Sequence, residues 1–73
     1  MSELPRGSGK EAVRALQRVG FEIRRQHGSH MIIRRGKPFA QTVVPAHREL
    51  DRGTLRAILQ QANISVSEFV ALL

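Results

Sequence analysis

The stretch His27-Gly28-Ser29-His30-Met31-Ile32-Ile33-Arg34-Arg35-Gly36-Lys37-Pro38-Phe39-Ala40-Gln41-Thr42-Val43-Val44-Pro45 decides the fold of this chain. His27-Gly28-Ser29 has turn chemistry, and so has Gly36-Lys37-Pro38. Between them, His30 to Arg35 is apolar enough at Met31, Ile32 and Ile33 for a strand covered on both faces, or partly so. After the second turn, Phe39 to Val44 carries the β-branched run Thr42, Val43 and Val44, and Pro45 stops it. Two strands joined by so short a connection pair antiparallel. Upstream, Phe21 and Ile23 alternate with Glu22 and Arg24, which predicts another strand with one buried face. The three make an antiparallel meander.

Outward from the meander the period changes to that of a helix. Ser8 and Glu11 have capping-box spacing, and Ala12, Val13, Leu16 and Val19 recur on one side, so a helix is expected over about Gly9 to Val19. Gly20 suits a left-handed residue that ends it. Ala46 to Glu49 reads as a loop. Asp51 fits an N-cap, with Leu50 placed to staple onto Leu55; Leu55, Ile58, Leu59 and Ala62 form the apolar stripe of a second helix. Ser65 and Glu68 repeat the box, Ile64 can staple to Phe69, and a short last helix brings Phe69, Val70, Leu72 and Leu73. Residues 1–7, broken by Pro5 and Gly7, read as a flexible lead to one domain over residues 8–73. A three-stranded sheet must cover a face, and flanking amphipathic helices do so. The expectation is a two-layer α+β domain of order α-β-β-β-α plus a short C-terminal helix, with the helices on one face. That is the layout of double-stranded-RNA-binding domains.

Composition narrows the function. The chain has 73 residues, no cysteine, and 12 Lys plus Arg against 6 Asp plus Glu, for a net charge of +6. A chain this short buries only about 60% of its unfolded surface, and no disulfide or thiolate site assists it. It has neither a signal-type apolar segment nor a run long enough to span a membrane, so a cytoplasmic protein without a membrane-spanning part is expected. The positive charge is nearly all arginine and is dispersed along the chain. That suits a polyanionic partner: RNA, DNA or an acidic surface. With only Phe21, Phe39 and Phe69 as aromatics, a base-stacking sheet with two or three exposed rings is disfavoured.

Little of the sequence carries enzyme chemistry. The acids are scattered, and His27, His30 and His47 do not have zinc-ligand spacing, so no metal and no cofactor are expected. Ser29 precedes His30, yet neighbours on a strand face opposite ways, and no orienting acid or oxyanion hole marks a hydrolase. His30 remains. It opens the central strand just after a Gly-Ser turn, at the sheet rim, with Arg24, Arg25, Arg34, Arg35 and Lys37 on the same meander. An imidazole among cations has the parts for metal-free RNA cleavage: a base for the ribose 2′-OH and positive charge for the phosphoryl oxygens. The bland alternative is a surface histidine at a strand end. His47 and Ser29 are auxiliary candidates at the same rim, as acid-base groups or substrate contacts, and His27 reads as a turn residue. The arginines suit phosphate through their forked donors, though charged residues on solvent faces are also ordinary.

The landmarks then line up with a known family. Ser8-Gly9-Lys10-Glu11, Gly20-Phe21, Gly28-Ser29-His30, Val44-Pro45-Ala46-His47, Gly53-Thr54-Leu55-Arg56 and Val66-Ser67-Glu68-Phe69 come in order, and the chain resembles the HicA-type mRNA interferase toxins of toxin–antitoxin pairs. The resemblance implies the double-stranded-RNA-binding-like fold, metal-independent cleavage of mRNA that blocks translation, and His30 as the catalytic residue. It also implies a HicB-like antitoxin that covers the site. Two departures bear on substrate preference: Met31-Ile32-Ile33 follows the histidine, and the hairpin is Gly-Lys-Pro. A non-catalytic RNA-binding module and a protein-interaction module docking an acidic partner are the competing readings.

Overall fold

The computed structural model describes residues 7–73; the lead expected over residues 1–7 lies, except for Gly7, outside the described residues. The elements are α1 (Gly9–Gln17), β1 (Glu22–His27), β2 (His30–Arg35), β3 (Ala40–Pro45), α2 (Arg52–Ala62) and α3 (Val66–Leu72). The strands form one antiparallel sheet in the order β1-β2-β3. This is the two-layer α+β architecture of the double-stranded-RNA-binding type.

Local chemistry sets the helix ends. Ser8 Oγ accepts from the Glu11 N–H at 3.1 Å while Glu11 Oε1 accepts from the Ser8 N–H at 2.8 Å. Ser65 and Glu68 repeat that reciprocal box. Asp51 accepts both the N–H and the hydroxyl of Thr54. Each box satisfies N–H groups that the first helical turn leaves without a partner. The far ends close alike. The N–H of Phe21 reaches Leu16 O and that of Gly20 reaches Gln17 O. After α2, Ile64 N–H reaches Leu59 O and Asn63 N–H reaches Gln60 O. Both closures need a left-handed residue, supplied by Gly20 (φ 99°) and Asn63 (φ 58°). The first helix stops two residues short of the expected Val19, because this closure takes over the last turn.

Hydrogen bonds to Ser8, its backbone N–H first, hold the Glu11 carboxyl below the ordinary glutamate range. Those to Thr54 do the same for Asp51. A carboxyl that binds its proton less tightly when folded stabilises the fold above its unfolded value and loses that contribution as pH falls through the lowered one. Helicity should therefore erode below about pH 4, where ordinary carboxylates titrate. Far-UV dichroism against pH checks this, and Glu11→Gln with Asp51→Asn should flatten the acid limb.

The core lies between the helices and one face of the sheet. Ala12, Val13, Ala15 and Leu16 from α1 meet Leu55, Ile58, Leu59 and Ala62 from α2, with Phe21, Leu50, Ile64 and Phe69 from the connections and α3. Met31 and Ile33 of β2 and Ala40 and Val44 of β3 close it from the sheet side. Thr42 is buried on the same face and donates its hydroxyl to Gln61 Oε1 at 2.7 Å, tying β3 to α2. The helices lie over β3 and over one another.

Two strand expectations change. β1 was expected to bury one face, yet all six of its residues are exposed and Ile23 is 47% accessible. Phe21, the apolar residue that is buried, precedes the strand, and β1 packs on β2 at an edge the helices leave uncovered. β3 starts at Ala40 instead of Phe39, because Arg35 and Ala40 are the closing pair and Gly36 to Phe39 all belong to the turn. Phe39 is left 65% exposed.

Candidate functional site

The outer face of the sheet, opposite the helices, carries the site. Along β2, Met31 and Ile33 point into the core while His30, Ile32 and Arg34 point outward. The register puts Pro45 beside His30, Val43 beside Ile32 and Gln41 beside Arg34. On the other side of β2 stand His27, Arg25 and Glu22 in the same sequence.

β1 attains this arrangement through a bulge. Ile23 pairs with Ile33, but the next pairing joins Arg25 to Ile32, so Arg24 is the extra residue. An uninterrupted ladder from Ile23 would have set Gln26 opposite His30. The bulge shifts the strand by one position and sets His27 there. Gly28 then turns the chain with φ 56°, and Ser29 keeps a negative φ, the pattern of a II′-type hairpin. Gln26 Nε2 donates to Gly28 O at 3.1 Å and braces the turn.

His30 is therefore the first residue of the central strand and is exposed. The rim around it is built by backbone contacts from distant parts of the chain. Ser29 O accepts the N–H of Ala46. His47 O accepts the N–H of Gly9 at 2.9 Å, so the first turn of α1 is fastened to the segment that follows β3. Gly9 sits so close to Pro45 that a Cβ there would lie 1.8 Å from its carbonyl oxygen. Three stretches separate in sequence, Ser8-Gly9-Lys10, Ser29-His30 and Pro45-Ala46-His47, thus meet at one end of the sheet. His47 is exposed in its loop.

The predicted cations divide. Arg24, Arg25 and Arg34 line one cleft of about 400 Å³ with Gln41, over a floor of Ile32. No carboxylate lines it. Arg34 Nε donates to Gln41 Oε1 at 2.8 Å, which fixes the guanidinium, and Arg34 also lies 6.0 Å from the centre of the exposed Phe39 ring. Arg24 has a loose ion pair with Glu22 at 3.8 Å, both side chains being more than half exposed. Ile32 is two residues from His30 on the same face, so the backbone at the cleft floor lies about 7 Å along the strand from that of His30. Arg35 goes elsewhere. It turns to the helix side, stacks 4.8 Å from the Phe21 ring centre, and donates to Pro38 O and Ala62 O. Lys37 lies in the hairpin at the opposite end of β2 from His30.

Gln41 carries no expectation from the sequence, Ile32 figures there only in the run after His30, and Gly9 only as part of a landmark. The place of Gln41 and Ile32 in the cleft depends on the register that brings them beside the arginines. Gly9 could have been suspected as a glycine inside a capping box, where a helix former is the ordinary choice. Among the described residues, no three of His, Cys, Asp and Glu stand together as a metal-ligating group. Among them too, no helix is long and apolar enough to cross a membrane.

No curated protein matches the chain closely enough to name as a relative. A family does match, and where it matches is informative: residues 9–64 fit the family model described as the HicA toxin of bacterial toxin–antitoxin systems. That span starts at the glycine pressed against Pro45 and takes in the whole sheet, the rim around His30 and both long helices. The chain belongs to the HicA toxin family.

Proposed function

We propose that this protein is the toxin of a toxin–antitoxin pair and acts as a metal-independent endoribonuclease on mRNA. The observation that carries this reading is the exposed imidazole of His30, on the same open sheet face as the Arg24, Arg25 and Arg34 cleft. In the reaction His30 takes the proton of a ribose 2′-OH, and the freed oxygen attacks the adjacent phosphorus. The guanidiniums hold the flanking phosphate and offset charge that builds on its oxygens. Ser29 and His47, at the same rim, serve as auxiliary contacts to the substrate. A HicB-like antitoxin neutralises the toxin by covering this face.

Turnover decides between this and a module that only binds. Purified protein should cut RNA in the presence of EDTA. Retention of RNA without cleavage would make it a binding module. Absence of any affinity for RNA would leave only the docking of an acidic partner.

The division of the arginines gives a second expectation. Arg25→Ala and Arg34→Ala should weaken RNA binding and reduce the slope of log affinity against log salt by about one each, as expected for a lost phosphate contact. Both should leave melting nearly unchanged. Arg35→Ala should do the reverse, because its guanidinium is spent on Phe21 and two carbonyls. Removing such contacts costs on the order of 1–2 kcal/mol. Filter binding over a salt series, with thermal melts, separates the two behaviours.

A further inference from the structure

His30 is one proton carrier, and the cleavage proposed above moves two protons. The 2′-OH must lose one as it attacks, and the departing 5′-oxygen must gain one as its bond to phosphorus breaks. A single exposed ring at a strand end supplies the first transfer, and the second needs a donor of its own; His47 stands in the loop after β3, whereas His27 stands on the sheet face itself.

The sheet places a second imidazole beside the first. His27 and His30 are direct cross-strand partners at the closed end of the β1–β2 hairpin. Directly opposed residues project from the same face with Cβ atoms about 5 Å apart, and here that face is the open one. Both side chains are exposed. Their separation is set by a two-residue turn, braced by Gln26 on Gly28, and by the rim contact of Ser29 with Ala46. The bulge at Arg24 is what produces the pairing, and bulges beside functional sites serve to re-aim side chains in this way. Arg25, one cross-strand position further along the same face, lies beside Ile32 in the arginine cleft. A phosphodiester that enters from the cleft therefore meets two imidazoles side by side.

We propose that His27 is the general acid of the reaction, working as a pair with His30. This rests on the ribonuclease reading above. Neutral His30 accepts the 2′-OH proton as the 2′-oxygen bonds to phosphorus. Protonated His27 donates to the 5′-oxygen as the phosphorus–oxygen bond breaks, and the bonding pair leaves with that oxygen. The products are a 2′,3′-cyclic phosphate and a 5′-hydroxyl, and no electron is gained or lost. His30 ends protonated and His27 neutral, and exchange with water restores both.

The test uses an RNA oligonucleotide whose cut site has been mapped with the wild-type protein, and a second copy with a bridging sulfur in place of the 5′-oxygen at that site. A thiolate leaves without a proton. His27→Ala should slow cleavage of the oxygen substrate by about 10²–10⁴-fold, the usual span for a lost acid or base. It should cleave the sulfur substrate at nearly the wild-type rate. His27→Asn, which keeps a polar group of similar size, should behave alike. His30→Ala should be impaired on both substrates. His27 is exposed, so melting should be unchanged, and binding of an all-deoxy analogue should be retained. Wild-type rates from His27→Ala on the oxygen substrate would overturn the pairing, as would a loss that sulfur does not restore. Sulfur rescue of His47→Ala in place of His27→Ala would assign the acid to His47 and overturn it too. If the wild type cuts no RNA, the ribonuclease reading itself falls; if His30→Ala cuts normally, the base role of His30 falls and the pairing with it. A dead His30→Ala beside a fully active His27→Ala removes only the role given to His27.

Discussion

His30→Ala is expected to lower RNA cleavage by about a hundred- to ten-thousandfold, which is about 3–5.5 kcal/mol in the barrier at 1.36 kcal/mol per factor of ten. The loss should fall on the chemical step alone. The ring is exposed at the head of β2 and contributes nothing to the core, so the melting temperature should barely move. The three-arginine cleft is untouched by the change, so RNA should still be retained. In cells, expression of the wild type should arrest growth and degrade mRNA, while the variant should do neither. Undiminished cleavage by a folded His30→Ala protein would remove His30 from the chemistry, whereas retention of RNA with no cleavage by the wild type would leave the cationic face as a binding surface.

Among the glycines of the described residues, Gly9→Ala should produce the largest loss of stability by steric overlap. The new Cβ would sit 1.8 Å from Pro45 O and 2.9 Å from its carbonyl carbon. Both are backbone atoms, so no rotamer change relieves the contact, and either α1 or the end of β3 must move. Overpacking of this kind costs about 1–3 kcal/mol and occasionally more. At about 4–8 °C per kcal/mol for a domain of this size, a fall on the order of 10 °C is expected in a thermal melt. Gly36→Ala is the matching comparison. No heavy atom lies within 4 Å of a Cβ there and its φ is not positive, so little should change. Equal melting of the two variants would refute the close-packing account of Gly9. Because the Gly9 N–H also holds His47 O, a surviving Gly9→Ala protein should cleave RNA more slowly than Gly36→Ala.

Acid titration, arginine replacement and the sulfur-substrate experiment probe the remaining parts of the same small structure. They read respectively the helix caps, the phosphate contacts and the second proton transfer.

Much of the fold was legible residue by residue. Ser8 with Glu11, Asp51 with Thr54, and Ser65 with Glu68 are contacts at a separation of three, and such short range is what sequence reasoning handles well. The exchange of a 3.6-residue period for a two-residue one at Phe21 announced the sheet, and His30 was placed correctly at the head of its central strand. The landmarks quoted above likewise anticipated the family that residues 9–64 match. Other features were hidden. The alternation of Phe21 and Ile23 promised a buried face that β1 does not have, since whether a helix covers an edge strand depends on packing far away in sequence. Arg34 and Arg35 look equivalent as neighbours, yet one faces the open cleft and the other stacks on Phe21. His27 read as a turn residue, because nothing in its neighbourhood signals that one unpaired residue, Arg24, will move it opposite His30.

The sequence by itself determined the elements, their caps, their order and the cationic character of the chain, because these follow from contacts within a few residues and from composition. Only the tertiary structure decided which three arginines share a cleft, which imidazole stands beside His30, and why position 9 has room for hydrogen alone. Those outcomes depend on strand register and on the approach of backbone segments dozens of residues apart, and a single slipped position turns the side chains of a strand to its other face.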